Sequence, residues 1–206
     1  MIDWINRQSR RVPPWLLYLL APLPPIWFLY QGFTGALGVE PIRELEHKLG
    51  ELGLQILIVV LAITPLRRFA GLNLLRFRRA LGLISFFYIA LHLLVWLVLD
   101  VQIPSQIWAD IVKRPYITVG MLGFALMIPL ALTSNNASVR KLGRAWRKLH
   151  WLTYPAVVLG AVHFVLLRKG FQIEPLLYLG AILLLLALRL KKRSFARLGA
   201  LRAERG

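Results

Sequence analysis

Six apolar runs, separated by short polar loops, constrain what this chain can fold into. They cover about residues 13–30, 44–64, 80–99, 116–133, 148–168 and 175–189. A helix needs about 20 apolar residues to cross a bilayer core, and inside that core only helices and closed barrels satisfy their backbone hydrogen bonds. Apolar residues form 58% of the 206 residues. The sequence therefore predicts an all-α, polytopic membrane protein, with six transmembrane helices in one domain over residues 1–206.

The first run carries three prolines, at positions 22, 24 and 25, and follows a basic N-terminus. A cleaved signal peptide also begins with basic residues and a short apolar core. No small-residue cleavage site follows Tyr30, so we favour a kinked membrane helix whose freed carbonyls are satisfied by neighbouring helices.

The basic residues of the chain lie mainly on one side of the six predicted helices. The N-terminus, the loops at 65–79 and 134–148, and the tail hold 20 of the 26 Lys and Arg residues. Such an excess marks cytoplasmic segments, so both termini are expected inside. The net charge of +17 then reflects topology and attraction to anionic membrane lipids, and we expect no nucleic-acid partner.

Two of the four histidines lie at the same depth in different helices. On the predicted boundaries, His92 is about 18 Å and His163 about 22 Å from the cytoplasmic end of its helix. An ionisable residue inside the membrane indicates function, and neutral imidazole binds haem iron. We therefore predict that His92 and His163 are the axial ligands of a haem b. The alternative is that both rings only bond to helix carbonyls.

The other two histidines lie nearer the membrane faces. His150 is about one turn from the cytoplasmic boundary, where it is either a ligand of a second haem or an interface residue. His47 is one turn inside the outer end of its helix, and we interpret it as an interface residue. The absence of cysteine excludes iron–sulfur clusters and thiolate ligation of haem.

Three segments make the chain similar to a known family. They are FRRALGL leading into His92, KRPYITVG at 113–120, and LTSNNASVRKLGRAWRKLHWLTY at 132–154, with His163 downstream. These resemble the haem-binding membrane subunit of the periplasmic methionine-sulfoxide reductase system, the YedZ or MsrQ family. That family belongs to the wider ferric-reductase-like transmembrane group, and the resemblance runs from about residue 38 to residue 192.

The resemblance implies a six-helix haem b protein of the bacterial inner membrane. Such a subunit passes electrons from quinol to a periplasmic molybdopterin enzyme that repairs oxidised methionine, and the family is also associated with FMN. No motif in the chain indicates a binding site for FMN or for a quinone. The resemblance implies an electron-transfer subunit of an oxidoreductase system rather than its catalytic subunit.

The chain departs from the wider group at Arg78, fourteen residues before His92, where that group has a second histidine. Fourteen residues turn a helix by about 1400°, which returns Arg78 to nearly the same side as His92. A guanidinium stays protonated and is a poor iron ligand. Arg78 and Arg79 are instead candidates to hold a haem propionate or a flavin phosphate. His150 therefore lacks a histidine partner, and one haem is expected.

The sequence is also compatible with two other functions. A haem protein of this group could reduce ferric chelates or oxygen instead, although direct NADPH oxidation is not expected, since no nucleotide-binding domain follows the basic tail. A transporter or structural bundle without haem is the non-enzymatic alternative. On the outer side, residues 100–115 carry apolar positions at helical spacing, including Trp108. This segment is predicted to lie in the interface and to border a docking surface.

Overall fold

Every element in the described part of the chain is helical. The computed structural model describes residues 1–168 and 172–189. Its α-helices are α1 Ile2–Arg11, α2 Trp15–Leu20, α3 Leu23–Phe33, α4 Pro41–Phe69, α5 Arg78–Val95, α6 Pro104–Lys113, α7 Pro115–Leu132, α8 Asn136–Leu142, α9 Arg144–Leu149, α10 Thr153–Leu167 and α11 Ile173–Arg189. Two 3₁₀ turns, Leu75–Phe77 and His150–Leu152, and a π-helical turn, Trp96–Val101, complete the described elements.

Several of these helices are long and apolar enough to cross a membrane. Five segments meet that condition within the described residues: Trp15–Phe33, Pro41–Phe69, Leu75–Val101, Pro115–Leu132 and Arg144–Leu167. The all-α membrane class is thereby confirmed. Helix α11 spans 17 residues and is not among the five, so the count of six remains a prediction. The basic tail beyond residue 190 lies outside the described residues.

The first predicted membrane helix is interrupted at its prolines. Helix α2 ends at Leu20 and α3 begins at Leu23. Pro25 has no N–H to donate to the carbonyl of Ala21, four residues earlier. The hydroxyl of Tyr88 on α5 donates to that carbonyl instead, at 2.7 Å. A neighbouring helix thus satisfies the carbonyl that the proline leaves free.

The second membrane helix is predicted at about 44–64, but α4 continues beyond that end, through Pro65, to Phe69. Pro65 deprives the carbonyl of Leu61 of its helical donor, and Leu61 is fully buried. Arg189 of α11 supplies the missing donors, with its Nε 3.1 Å and its Nη2 2.6 Å from the Leu61 oxygen. Because the guanidinium replaces the lost bond, the helix tolerates the proline.

The predicted helix at 148–168 is also divided. Helix α9 ends at Leu149, a 3₁₀ turn follows at His150–Leu152, and α10 begins at Thr153. Pro155 lies in the first turn of α10, where a missing N–H costs little. The change of helix type separates His150 from the regular helix that carries His163.

Two tightly packed helix pairs form the centre of the fold. Helix α4 packs along α5, and α7 packs along α10, while α11 lies against both α10 and α4. The buried residues that join α4, α10 and α11 are Leu54, Leu57, Leu61, Val157, Ala161 and Ile182. This arrangement places His92 of one pair beside His163 of the other.

We predict that Arg189→Met destabilises the protein by about 1–3 kcal/mol, because it leaves the buried Leu61 carbonyl without a donor. Pro65→Ala restores a backbone N–H to that carbonyl, so the double variant should recover most of the loss. Thermal unfolding in detergent measures both effects. Arg67→Met, which removes an exposed cation from the end of α4, is the matched control. Equal loss in the single and double variants would contradict this account.

Candidate functional site

The two histidines that the sequence places at the same membrane depth lie close together in the structure. The rings of His92 on α5 and His163 on α10 have centroids 6.1 Å apart, and their planes meet at 76°. Both rings line one cavity between the helix pairs.

Each of these rings donates a hydrogen bond to a backbone carbonyl of the partner helix. The Nδ1 of His92 is 2.9 Å from the oxygen of Glu46, and the Nδ1 of His163 is 2.7 Å from that of Tyr116. A carbonyl can only accept, so Nδ1 carries the proton and Nε2 keeps its lone pair. Neither Nε2 has a hydrogen-bond partner within residues 1–168 and 172–189. Two free imidazole lone pairs therefore face the cavity.

A glycine makes each of these contacts possible. Gly50 and Gly120 lie four residues after the accepting carbonyls of Glu46 and Tyr116, so glycine and carbonyl share one helix face. A Cβ at Gly50 would lie 2.9 Å from the Nδ1 of His92, and a Cβ at Gly120 would lie 2.7 Å from that of His163. Any side chain at either position would push the ring away from its carbonyl.

A second glycine, three residues later, brings the helices of each pair close. A Cβ at Gly53 would lie 2.6 Å from the Cδ1 of Ile89, and one at Gly123 would lie 3.4 Å from the Cβ of Leu159. The two pairs thus repeat one pattern: carbonyl, glycine at the fourth position, glycine at the seventh. The sequence interpretation missed these glycines, although their equal register in GELG and GMLG was a visible signal.

The cavity between the pairs, called here the outer cavity, has a volume of about 590 Å³. Ligand sites in proteins usually enclose about 300–1,000 Å³. Its deeper walls are mostly apolar, whereas its mouth is charged. The mouth includes Glu40, Arg43, Glu46, Asp100, Arg114 and Arg168. His47, predicted to be an interface residue, lines the same cavity.

Arg114 keeps a permanent positive charge at this mouth. Its guanidinium donates to the hydroxyl of Tyr116 at 3.3 Å and pairs with Asp110 at 3.1 Å. The hydrogen bond to Tyr116 and the nearby carboxylates raise the pKa of Arg114 above its ordinary value. A carboxylate or phosphate entering the mouth would therefore meet a cation that does not titrate.

The residues around the outer cavity fit a haem. Two imidazoles on one metal place their centroids about 6.4 Å apart, from bonds of about 2.0–2.1 Å and about 1.2 Å between nitrogen and ring centre. The observed separation is 6.1 Å. No group of three or more His, Asp or Glu residues in the described part of the chain is placed to hold a bare metal. A macrocycle that supplies the remaining ligands suits this pair, and the arginines of the mouth suit its propionates.

A second cavity, called here the inner cavity, collects the other predicted site residues. It has a volume of about 460 Å³ and is lined by Arg78, Arg79, Arg147 and His150. Arg79 donates to the Oδ1 of Asn136 at 2.6 Å, whereas Arg78 has no hydrogen-bond partner among the described residues. This cavity therefore presents cations beside apolar walls.

His150 differs from the paired histidines in its tautomer. Its ring stacks on Trp146, with centroids 3.9 Å apart, and its Nε2 is 3.3 Å from the Oγ1 of Thr133. The Thr133 hydroxyl donates its proton to the carbonyl of Pro129 at 2.6 Å, so it accepts from Nε2–H. In this arrangement His150 presents no lone pair from Nε2 to the inner cavity.

The two cavities meet in the middle of the helix bundle. Leu57, Met127 and Ala156 line both of them. A layer of these three side chains therefore separates the histidine pair from the arginine cluster of the inner cavity.

Comparison with known proteins identifies relatives across most of the chain. Residues 49–161 match the family described as ferric reductase like transmembrane component. A protein from Brucella anthropi, the "protein-methionine-sulfoxide reductase heme-binding subunit MsrQ", is 47% identical over 85% of this chain and 80% of its own length. The protein of that name from Brucella ovis is 48% identical over 86% of this chain and 81% of its own length. No solved structure matches the chain.

We predict that Gly50→Ala and Gly120→Ala each disturb the histidine they touch, because the new methyl group would overlap the imidazole. Protein purified from haem-replete cells should lose much of its haem absorbance or show a shifted spectrum. Gly180→Ala is the control, because a Cβ at Gly180 in α11 meets nothing within 4 Å. Unchanged spectra in both Gly50→Ala and Gly120→Ala would contradict a site built from these contacts.

Proposed function

This chain belongs to the ferric-reductase-like transmembrane family and, within it, to the MsrQ haem-binding subunits, and we propose on that premise that it is a haem b electron-transfer subunit. It would pass electrons from membrane quinol to a periplasmic methionine-sulfoxide reductase, a molybdopterin enzyme in the related systems. The observation that carries the proposal is that His92 and His163 line one cavity and that the Nε2 atom of each has no hydrogen-bond partner among the described residues. When bound there, haem iron accepts and releases one electron at a time.

The chain's own groups prepare the site for that cofactor. The bonds from each Nδ1 to the Glu46 and Tyr116 carbonyls fix the tautomer and ring direction, and they raise the donor strength of Nε2. The arginines of the mouth, Arg43, Arg114 and Arg168, would hold the propionates. The apolar walls would keep water away from a bound iron and so help to set its reduction potential.

Charge asymmetry supports a direction for the electrons. The basic loops follow α4 and α7, at the ends opposite the mouth of the outer cavity. With those loops cytoplasmic, the outer cavity opens toward the periplasm of the bacterial inner membrane, and both termini lie inside. Helix α6 stands beside this mouth and exposes 69% of Trp108 and 66% of Val112. We place the docking surface for the reductase there.

The inner cavity supports a second anionic cofactor on the cytoplasmic side. Arg78 lines it without a hydrogen-bond partner among the described residues, and Arg79 and His150 lie beside it. The phosphate of FMN, or the propionates of a second haem, would pair with these cations. The Nε2–H of His150 donates to Thr133, and this favours the flavin. A histidine that binds haem iron through Nε2 needs that nitrogen without its proton.

We predict that His92→Gly and His163→Gly each abolish the spectrum of a six-coordinate low-spin haem, since each removes one axial ligand. Added imidazole should restore it, because the free ligand fits the space left by the side chain. Absorption spectroscopy of the purified protein measures both steps. A variant that keeps a full, unshifted haem spectrum would show that its histidine does not bind the iron.

The acceptor is tested by reducing the haem in membranes with quinol and then adding the reductase and oxidised methionine. We expect rapid haem reoxidation that requires both additions. Reoxidation by ferric chelates or oxygen, but not by the reductase, would replace this acceptor with the alternative of the same family. A purified protein without any haem band would favour a transporter or structural bundle.

A further inference from the structure

A hydrogen-bonded group of three polar side chains joins α4 to α11 within the membrane region. The Oε1 of Glu51 accepts from the Nε2 of Gln55 at 2.8 Å and from the hydroxyl of Tyr178 at 2.9 Å. The Nε2 of Gln55 also lies 2.7 Å from the Tyr178 oxygen. A carboxylate inside a membrane span is costly and indicates a function. The histidine pair does not account for it.

One oxygen of this carboxylate is held while the other is free. Both donors bind Oε1, and Oε2 has no hydrogen-bond partner among the described residues. The two donors from different helices fix the direction of Oε2. The cluster therefore presents an oriented, unpaired acceptor.

The position of the cluster connects lipid to the outer cavity. Gln55 is exposed on the surface of α4, fourteen residues from each end of that helix, so it faces lipid near mid-membrane. Glu51 also lines the outer cavity, and the preceding Gly50 touches the ring of His92. A ligand that reached Glu51 from the lipid would lie beside the histidine pair.

The chemistry of the cluster selects the kind of ligand. A single carboxylate repels phosphates and propionates, and the cluster offers too few oxygens to hold a divalent cation. Its free acceptor suits a hydroxyl donor, and its apolar surroundings suit a lipid-soluble ring. A quinol has both properties, whereas its oxidised form, the quinone, has no hydroxyl to donate.

We propose that Glu51, Gln55 and Tyr178 form the binding site for the head group of a membrane quinol. A quinol hydroxyl donates to the Oε2 of Glu51 while its ring lies on the lipid-facing side of the cluster, beside the exposed Gln55. This inference rests on the proposed function and adds the residues that receive the donor. A cluster that only ties the two helices together would not distinguish quinol from quinone.

The test compares Glu51→Gln with the wild-type chain. The amide oxygen of the variant can still accept from Gln55 and Tyr178, which preserves the tie between helices. Its NH₂ group replaces Oε2 with a donor, which cannot accept the quinol hydroxyl. Tyr178→Phe keeps the ring, whose centroid is 5.6 Å from that of Phe164, and removes one donor to Oε1. Glu44→Gln, an exposed carboxylate of the same helix, is the matched control.

Two measurements use the full chain in membranes. The first is the rate of haem reduction against the concentration of short-tailed ubiquinol or menaquinol. Loss of a hydrogen bond to a charged group should raise the half-saturating concentration about tenfold or more in Glu51→Gln, less in Tyr178→Phe, and not in Glu44→Gln. The second is photolabelling with an azidoquinone that is first reduced to its quinol, read by peptide mass spectrometry. Label is expected on peptides that contain Glu51 or Tyr178.

The outcomes separate this site from the proposed function. If quinol reduces the wild-type haem and Glu51→Gln behaves like wild type, the site is overturned and the electron-transfer function stands. Label confined to the inner cavity would also overturn it. If neither quinol reduces the wild-type haem, both the proposed donor and this site are wrong. The haem assignment and the acceptor are then still tested by the haem spectrum and by haem reoxidation with the reductase.

Discussion

The hydrogen bond from the Nδ1 of each buried histidine to a helix carbonyl is the interaction on which the central site depends. It joins α5 to α4 through Glu46 and α10 to α7 through Tyr116. Because the proton stays on Nδ1, the lone pair of Nε2 points to the space between the helix pairs. The glycines at 50 and 120 follow from the same contact, since a side chain there would overlap the ring.

Backbone polar groups impose a second constraint, because no water satisfies them inside a bilayer. Prolines in two membrane segments each free a carbonyl, and a side chain from another helix binds it. Tyr88 donates to Ala21, and Arg189 donates to Leu61. These bonds also fix α2 against α5 and α11 against α4. The prolines thus create acceptors that help to hold the bundle together.

The two cavities differ in the side chains that line them. The outer cavity has paired imidazoles and a mixed-charge mouth, whereas the inner cavity has arginines and a histidine that donates to Thr133. They meet at Leu57, Met127 and Ala156. Under the proposed function, electrons would pass between cofactors in the two cavities through this apolar layer.

The sequence by itself determined the features that depend on local pattern. Hydropathy predicted the membrane helices, and counting residues along two of them selected His92 and His163, since depth follows from the rise per residue. Only the tertiary structure decided three other features. These are the carbonyls that hold the two rings, the continuation of α4 through Pro65, and the hydrogen bond that His150 donates to Thr133. Each of these depends on a contact between helices distant in the chain, such as Arg189 with Leu61, and such contacts leave no local pattern in the sequence.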